Sequence, residues 1–206
     1  MRRHRPLPAA LLALSLLATL PAGAADRAAT PAPLPLTSAD LLKAYIFATA
    51  HQTPPPAEFT RYMGDDVQGG PDGAARAQAA LARVKGHPEV VLTLNDIALH
   101  GYDPARKAFP MDNKLFVPGQ EYSFDVSPYH YVFTNPDGLN PLPCRIPAEI
   151  DRISALIRVD PWLRVRVYGR VAGADPAQHR LSIQLVRVEV LDRQGALLSS
   201  PLPDGR

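Results

Sequence analysis

Five histidines follow residue 24, at positions 51, 87, 100, 130 and 179, and no two of them stand at HxH, HxxxH or HExxH spacing. The nearest approach to a metal-ligand cluster is Asp96, His100 and Asp103. Four residues of regular strand span about 13 Å, several times a metal–ligand bond of about 2 Å, so only a bend at Asn95-Asp96 would gather them. Serine hydrolysis needs a nucleophile, a histidine base and an orienting acid. Ser123, Asp125 and His130 offer those types, but no GxSxG or SxxK surrounds any serine. Ser123 and Asp125 read instead as solvent-facing residues of one strand. Glu58, Glu89, Glu121, Glu149 and Glu189 contain no pair that spacing marks for two-carboxylate glycoside chemistry. Gly69-Gly70 lacks the lysine of a phosphate-cradling loop. Cys144 is the one cysteine, so an intrachain disulfide is impossible. Cys144 lies between Pro143 and Arg145 in a proline-rich loop; a nucleophilic thiolate needs a base or positive surroundings, and sequence alone cannot place such a group against the sulfur. It reads as a buried thiol, with an intermolecular disulfide as the alternative. The expectation is a chain without metal or cofactor whose work is binding rather than catalysis.

Two patches are candidates for that binding. Arg164, Arg166 and Arg170, with Arg187 on the next strand, would share one face of a sheet at about 7 Å per step. Guanidinium forks suit carboxylate and phosphate, so the row is either a solvated face balanced by neighbours or a site for an anionic partner. Tyr129, Tyr131 and Phe133 alternate along another strand, with Tyr122 and Phe124 nearby. They are either core or a stacking platform for a sugar or peptide.

The elements that must position these side chains follow from periodicity. Ser38 or Thr37 caps a helix with Asp40 in its first turn, and Leu41, Leu42, Tyr45 and Ile46 form its apolar stripe. Pro56 starts a short second helix through Phe59, Tyr62 and Met63. Pro71 opens an alanine-rich third that runs to about Lys85, stopped by Gly86 and Pro88. The period then falls to two. Val90, Leu92 and Leu94 alternate on one parity, and Ile97 and Leu99 on the other, which predicts a bulge or bend at Asn95-Asp96. Lys114 to Val117 suggests a short strand, and Tyr122, Phe124 and Val126 alternate as another. Pro147 to Arg158 reads as a helix with Ile150, Ile153, Leu156 and Ile157 on one face. Last come two long alternating runs, Leu163 to Val171 and Leu181 to Val190, around a turn at Ala174-Asp175-Pro176. They predict an antiparallel hairpin. The fold class expected is α+β: N-terminal helices, then a mostly antiparallel sheet with one inserted helix and a long C-terminal hairpin.

The order strand, Gly101-Tyr102-Asp103, Ala108-Phe109-Pro110, a Phe-containing strand, a Tyr/Phe strand, a Pro-initiated helix and a hairpin ending in Val190-Leu191-Asp192 resembles a family of exported bacterial domains known only as a domain of unknown function. The resemblance spans roughly residues 88–198. It implies a periplasmic domain and carries no catalytic residue.

The N-terminus points the same way. Arg2, Arg3 and Arg5 precede an apolar run from Ala9 to Leu20, and Ala22-Gly23-Ala24 follows Pro21. Charged region, short apolar region and A-x-A site are the marks of a secretory signal peptide. The run is shorter than the roughly 20 residues of a spanning helix. The expected organisation is a signal peptide over 1–24, a proline-rich linker over 25–36, one α+β domain over 37–200 and a tail over 201–206, with no stable membrane insertion after cleavage. The full chain has 22 basic and 20 acidic side chains, and residues 1–24 hold three arginines and no acid, which leaves a net charge of −1 beyond them. That lacks the electrostatic footprint of a nucleic-acid binder. The functional expectation is a non-catalytic periplasmic binding or interaction domain, an envelope accessory or inhibitor-type protein. Its partner would be an envelope protein or an anionic ligand. The rivals are an envelope hydrolase acting on peptidoglycan or glycan, which needs a deep pocket lined by Asp, Glu or His near Gly101 to Asp103, and a small-molecule carrier, which needs a closed apolar cavity behind the aromatic strands.

Overall fold

The computed structural model describes residues 31–60, 73–111, 115–124 and 126–201. The expected signal peptide, Tyr62 and Met63 of the second helix, and all but Pro201 of the expected tail lie outside the described residues. Helix α1 (Ala39–Thr49) starts at Ser38, whose hydroxyl accepts from the Leu41 amide at 3.4 Å, with Asp40 in the first turn. Its stripe of Leu41, Leu42, Tyr45 and Ile46 is buried, and each such leucine contributes about 1.5–3 kcal/mol of apolar burial. A 3-10 turn (Pro56–Phe59) follows, and the Lys43 ammonium of α1 donates to its Glu58 carbonyl while sitting over the rings of Phe59 and Tyr129. Helix α2 (Gly73–Val84) packs on α1, where Arg76 pairs with Asp40. Gly86, at φ +78°, supplies the left-handed residue just beyond it.

The sheet has the order β1-β2-β7-β8-β5-β4, with β9 also on β8. Strands β1 (Leu34–Pro35), β2 (Glu89–Ala98), β4 (Glu121–Tyr122), β5 (His130–Phe133), β7 (Trp162–Asp175), β8 (Arg180–Leu191) and β9 (Leu197–Ser199) make it, while β3 (Ala108–Phe109) and β6 (Leu142–Pro143) form a separate pair. The bulge expected in β2 is present: its register against β7 shifts between Leu94 and Ile97, and Asp96 has φ +56°. The hairpin is β7–β8, antiparallel, with shifts at Tyr168/Gly169 and Val171/Gly173. Val186 is the residue bulged out at the first shift, which is why the apolar parity flips beside it.

The sheet is mixed: β1 lies parallel to β2 and β5 parallel to β8, and the other four pairings of its strands are antiparallel. Three expectations need correction. The helices do not come first: β1 precedes α1 and lies inside the stretch read as linker, held by the Leu36 amide donating to the Val91 carbonyl, with Leu36 itself buried. Residues 115–117 form no strand. Leu115 and Phe116 sit in a buried turn, and φ of +61° at Phe116 is incompatible with one. The alternation through Tyr122, Phe124 and Val126 likewise ends as strand at Tyr122, leaving Val126 94% exposed. Helix α3 (Pro147–Val159) forms as expected, though of its stripe only Ile153 is fully buried. The coarse class is α+β. Among the described residues no helix is long and apolar enough to cross a membrane.

The core lies between α1 and the inner face of the sheet, on Val90 and Leu92 of β2, Val165 and Val167 of β7, and Leu181, Ile183, Leu185 and Val188 of β8. The opposite face of β2, β7 and β8 faces solvent.

Candidate functional site

The solvent face is built by strand parity. Register places Glu89 beside Arg170, Val91 beside Tyr168, and Thr93 beside Arg166 across β2–β7, then Tyr168 beside Arg187 and Arg166 beside Glu189 across β7–β8. The four arginines expected to share a face therefore do so, and two carboxylates stand among them. Glu189 accepts from Arg166 Nη1 and Tyr168 Oη, each at 3.3 Å, and forms an ion pair with Arg187 Nη2 at 3.3 Å. Arg187 also stacks on the Tyr168 ring with its guanidinium carbon 3.9 Å from the centroid. Glu89 holds Arg170 at 3.0 Å. Hydrogen bonding to Tyr168 and the charge of Glu189 raise the Arg166 pKa still further. Arg164 is exposed and has no ion pair among the described residues. Four guanidiniums against two carboxylates leave this patch cationic, and its arginine side chains keep 41–61% exposure even where paired.

Beside it opens a cleft of about 550 Å³, walled by Pro33, Pro35, Leu36 and Thr37 on one side and by Val91, Thr93, Asn95, Arg166, Tyr168 and Phe124 on the other. A second cleft of about 470 Å³ adjoins it, lined by Thr93, Leu94, Asn95 and Ile97 of β2 together with Leu115, Gln120, Tyr122, Ser123, Phe124 and Tyr131. Strands β7, β8 and β5 separate β2 from β4 in the sheet order, so the sheet must curl to bring these two ends to one cleft. No protein-family model, curated protein or solved structure matches the chain.

The aromatic row lies elsewhere than the arginines. Tyr129, Tyr131 and Phe133 are all at most 5% exposed and join the core, Tyr129 against Phe47 and His179, and Phe133 against Phe116. Burial pushes the hydroxyl pKa of Tyr129 and Tyr131 well up, and that of Tyr122 up as well, the last partly offset because its oxygen accepts from the Phe116 amide. Of the row, Tyr131 lines the second cleft, stacked on Tyr122 with centroids 5.3 Å apart. Phe124, 36% exposed, is the ring that solvent reaches.

The other candidate groups have structural work. His130 lies within reach of acceptors at both ring nitrogens, Glu121 at 3.3 Å and the Pro128 carbonyl at 3.1 Å. Asp103 accepts from the amides of Ala105 and Arg106 and closes its own turn. No described group of three His, Cys, Asp or Glu could hold a metal. Cys144 is buried, and that burial raises its thiol pKa; the Ile146 amide opposes the rise, the Glu149 carboxylate 3.8 Å from the sulfur adds to it, and Arg152 opposes it. Neither cleft has a carboxylate or histidine among its described lining residues, and both are open to solvent rather than enclosed. Sequence reasoning did not mark Thr93, marked Asn95 only as part of the bend and Phe124 only as a neighbour of the aromatic row, since no motif distinguishes them.

Proposed function

We propose that this protein is exported to the periplasm after removal of residues 1–24, as the exported family it resembles would imply, and acts there as a non-catalytic binding domain. The observation that carries the reading is the cationic sheet face beside an open cleft, with Arg166 common to both. A flat face of guanidiniums offers charge-assisted, forked hydrogen bonds to a carboxylate or phosphate on an envelope partner. Clefts lined by arginine, tyrosine, amides and hydroxyls hold no acid–base pair of the kind hydrolysis needs, which favours binding over an envelope hydrolase. Their open shape favours a partner that lies along the surface over a cargo carried in a closed cavity.

The test is crosslinking capture from periplasm with the wild type and with the triple variant Arg164→Gln, Arg166→Gln, Arg170→Gln. The substitutions turn the patch from net positive to net negative without adding charge. The expected result is loss of the captured partner with an unchanged melting temperature. Capture that survives in a folded triple variant would remove this face from the function.

A further inference from the structure

The two clefts share Thr93, Asn95 and Phe124, so they are two halves of one groove that passes along β2 and under Phe124. The halves differ in chemistry. One presents a cation, Arg166, with the Tyr168 ring and the apolar wall of Pro33 and Pro35. The other presents the rings of Tyr122, Phe124 and Tyr131 with the amides of Asn95 and Gln120 and the hydroxyls of Thr93 and Ser123, and none of its described lining residues is charged. The rings brace one another: Tyr122 stacks on Tyr131, and Phe124 leans on Tyr131 with centroids 5.8 Å apart. Phe124 therefore shows solvent one aromatic face on a rigid support, at low entropic cost to a ligand that covers it.

An aromatic face bordered by amides and hydroxyls matches a sugar ring. The C–H face of the ring packs on the π surface, and its hydroxyls meet side chains that both donate and accept. A guanidinium in the neighbouring half adds a forked partner for a carboxylate. We propose that the groove binds an acidic oligosaccharide, one residue stacked on Phe124 and a carboxylate of the next held by Arg166. The proposal rests on the reading that the arginine face takes an anionic partner, and it names the class of that partner.

An acidic peptide is the competing occupant, and β2 argues against it. An extended peptide would add as a strand to the free edge of the sheet. The Leu36 amide bonds to the Val91 carbonyl on that edge, so alternation turns the main chain of Thr93 to the same side. Two residues later the ladder breaks, with the shift between Leu94 and Ile97 and φ of +56° at Asp96. A bulge at an edge ends pairing and leaves too short a ladder for a peptide to hold. The groove offers side chains, not a backbone rail.

Three probes decide it by calorimetric titration of the purified protein: a uronic-acid hexamer, the same hexamer with its carboxylates reduced to alcohols, and hexaglutamate. The uronate hexamer is expected to bind, and carboxyl reduction or Arg166→Gln to weaken it by about tenfold or more. Phe124→Ala should weaken both sugars by a similar factor, while Arg166→Gln leaves the reduced sugar unaffected. Should Phe124→Ala lower the melting temperature, Phe124→Leu, which keeps apolar bulk but lacks a π face, should keep the fold and still lose the sugar. No binding of the uronate hexamer overturns the proposal. So does hexaglutamate bound within about threefold of the hexamer with Phe124→Ala neutral. In that second case arginine-dependent binding persists and the broader reading of the face stands.

Discussion

Gly169 occupies the middle of a long strand, on the buried side of β7 where the hairpin register shifts. A β-carbon built there would lie 2.3 Å from Cγ2 of Ile183 and 3.1 Å from the Gln184 carbonyl oxygen. Ordinary carbon contacts are about 3.5–4.0 Å, so Gly169→Ala forces an overlap of more than about 1 Å. Ile183 cannot yield easily: it is fully buried, and its β-branch leaves it stiff at χ1. Overpacking of this kind costs about 1–3 kcal/mol. Reduced freedom of the unfolded chain returns about 0.4–1 kcal/mol. The net expectation is a loss of about 1–2 kcal/mol, which for a domain of this size lowers Tm by about 2–4 °C per kcal/mol. Urea unfolding of four proteins forms the assay: wild type, Gly169→Ala, Ile183→Ala and the double variant. Ile183→Ala alone costs about 2–5 kcal/mol but deletes the clashing methyl. In that background Gly169→Ala should be neutral or slightly stabilising, a coupling of about 1–2 kcal/mol that a double-mutant cycle isolates. An equal cost in both backgrounds, or no cost in the wild type, would refute the argument.

Alkaline pH should destabilise the fold early. Burial raises the Tyr45 hydroxyl from 10.0 to about 12 and pushes Tyr129 and Tyr131 higher. A group whose folded pKa is raised contributes stability in full below its unfolded pKa and loses it as pH rises through the folded one. The urea midpoint should hold to about pH 10 and fall from there toward pH 12, and a midpoint flat across that window would contradict the burial of these hydroxyls. Cys144, 3% exposed with its thiol pKa raised, should react with iodoacetamide only in denaturant. Brisk labelling of the native protein would show the thiol to be reachable.

Local signals carried the elements whose residues agree with their neighbours in sequence. Ser38 with Asp40, Gly86 after the alanine-rich helix, and the parity change at Asn95-Asp96 each have a short-range cause, and each has its counterpart in the structure. The parallel strand β1 was illegible because its pairing is made by main chain, and Pro33 and Pro35 disguise it as a linker. Phe116 lay in a stretch read as a short strand, but it has left-handed φ in a turn and packs its ring on Phe133. The arginine face could be placed by parity alone. Its balance by Glu89 and Glu189 could not, since Glu89 lies 81 residues from Arg170. The groove was the least visible feature. Its walls come from β1, β2, β7 and the segment around Phe124, which meet only because the sheet curls.

The strand β1 has a consequence for assembly. Its neighbourhood joins chain positions far apart, as when the His87 ring meets the Ala32 carbonyl 55 residues away. Closing so long a loop carries an entropic cost that grows with the logarithm of its length, and it is offset by a short ladder at Leu34 and Pro35, the Leu36 bond and the His87–Ala32 contact. The N-terminal edge is thus the natural last piece to dock and the first to fray. One wall of the groove is that edge, so a ligand lying against Pro33 and Pro35 would bind the docked form alone and tighten the seam by mass action.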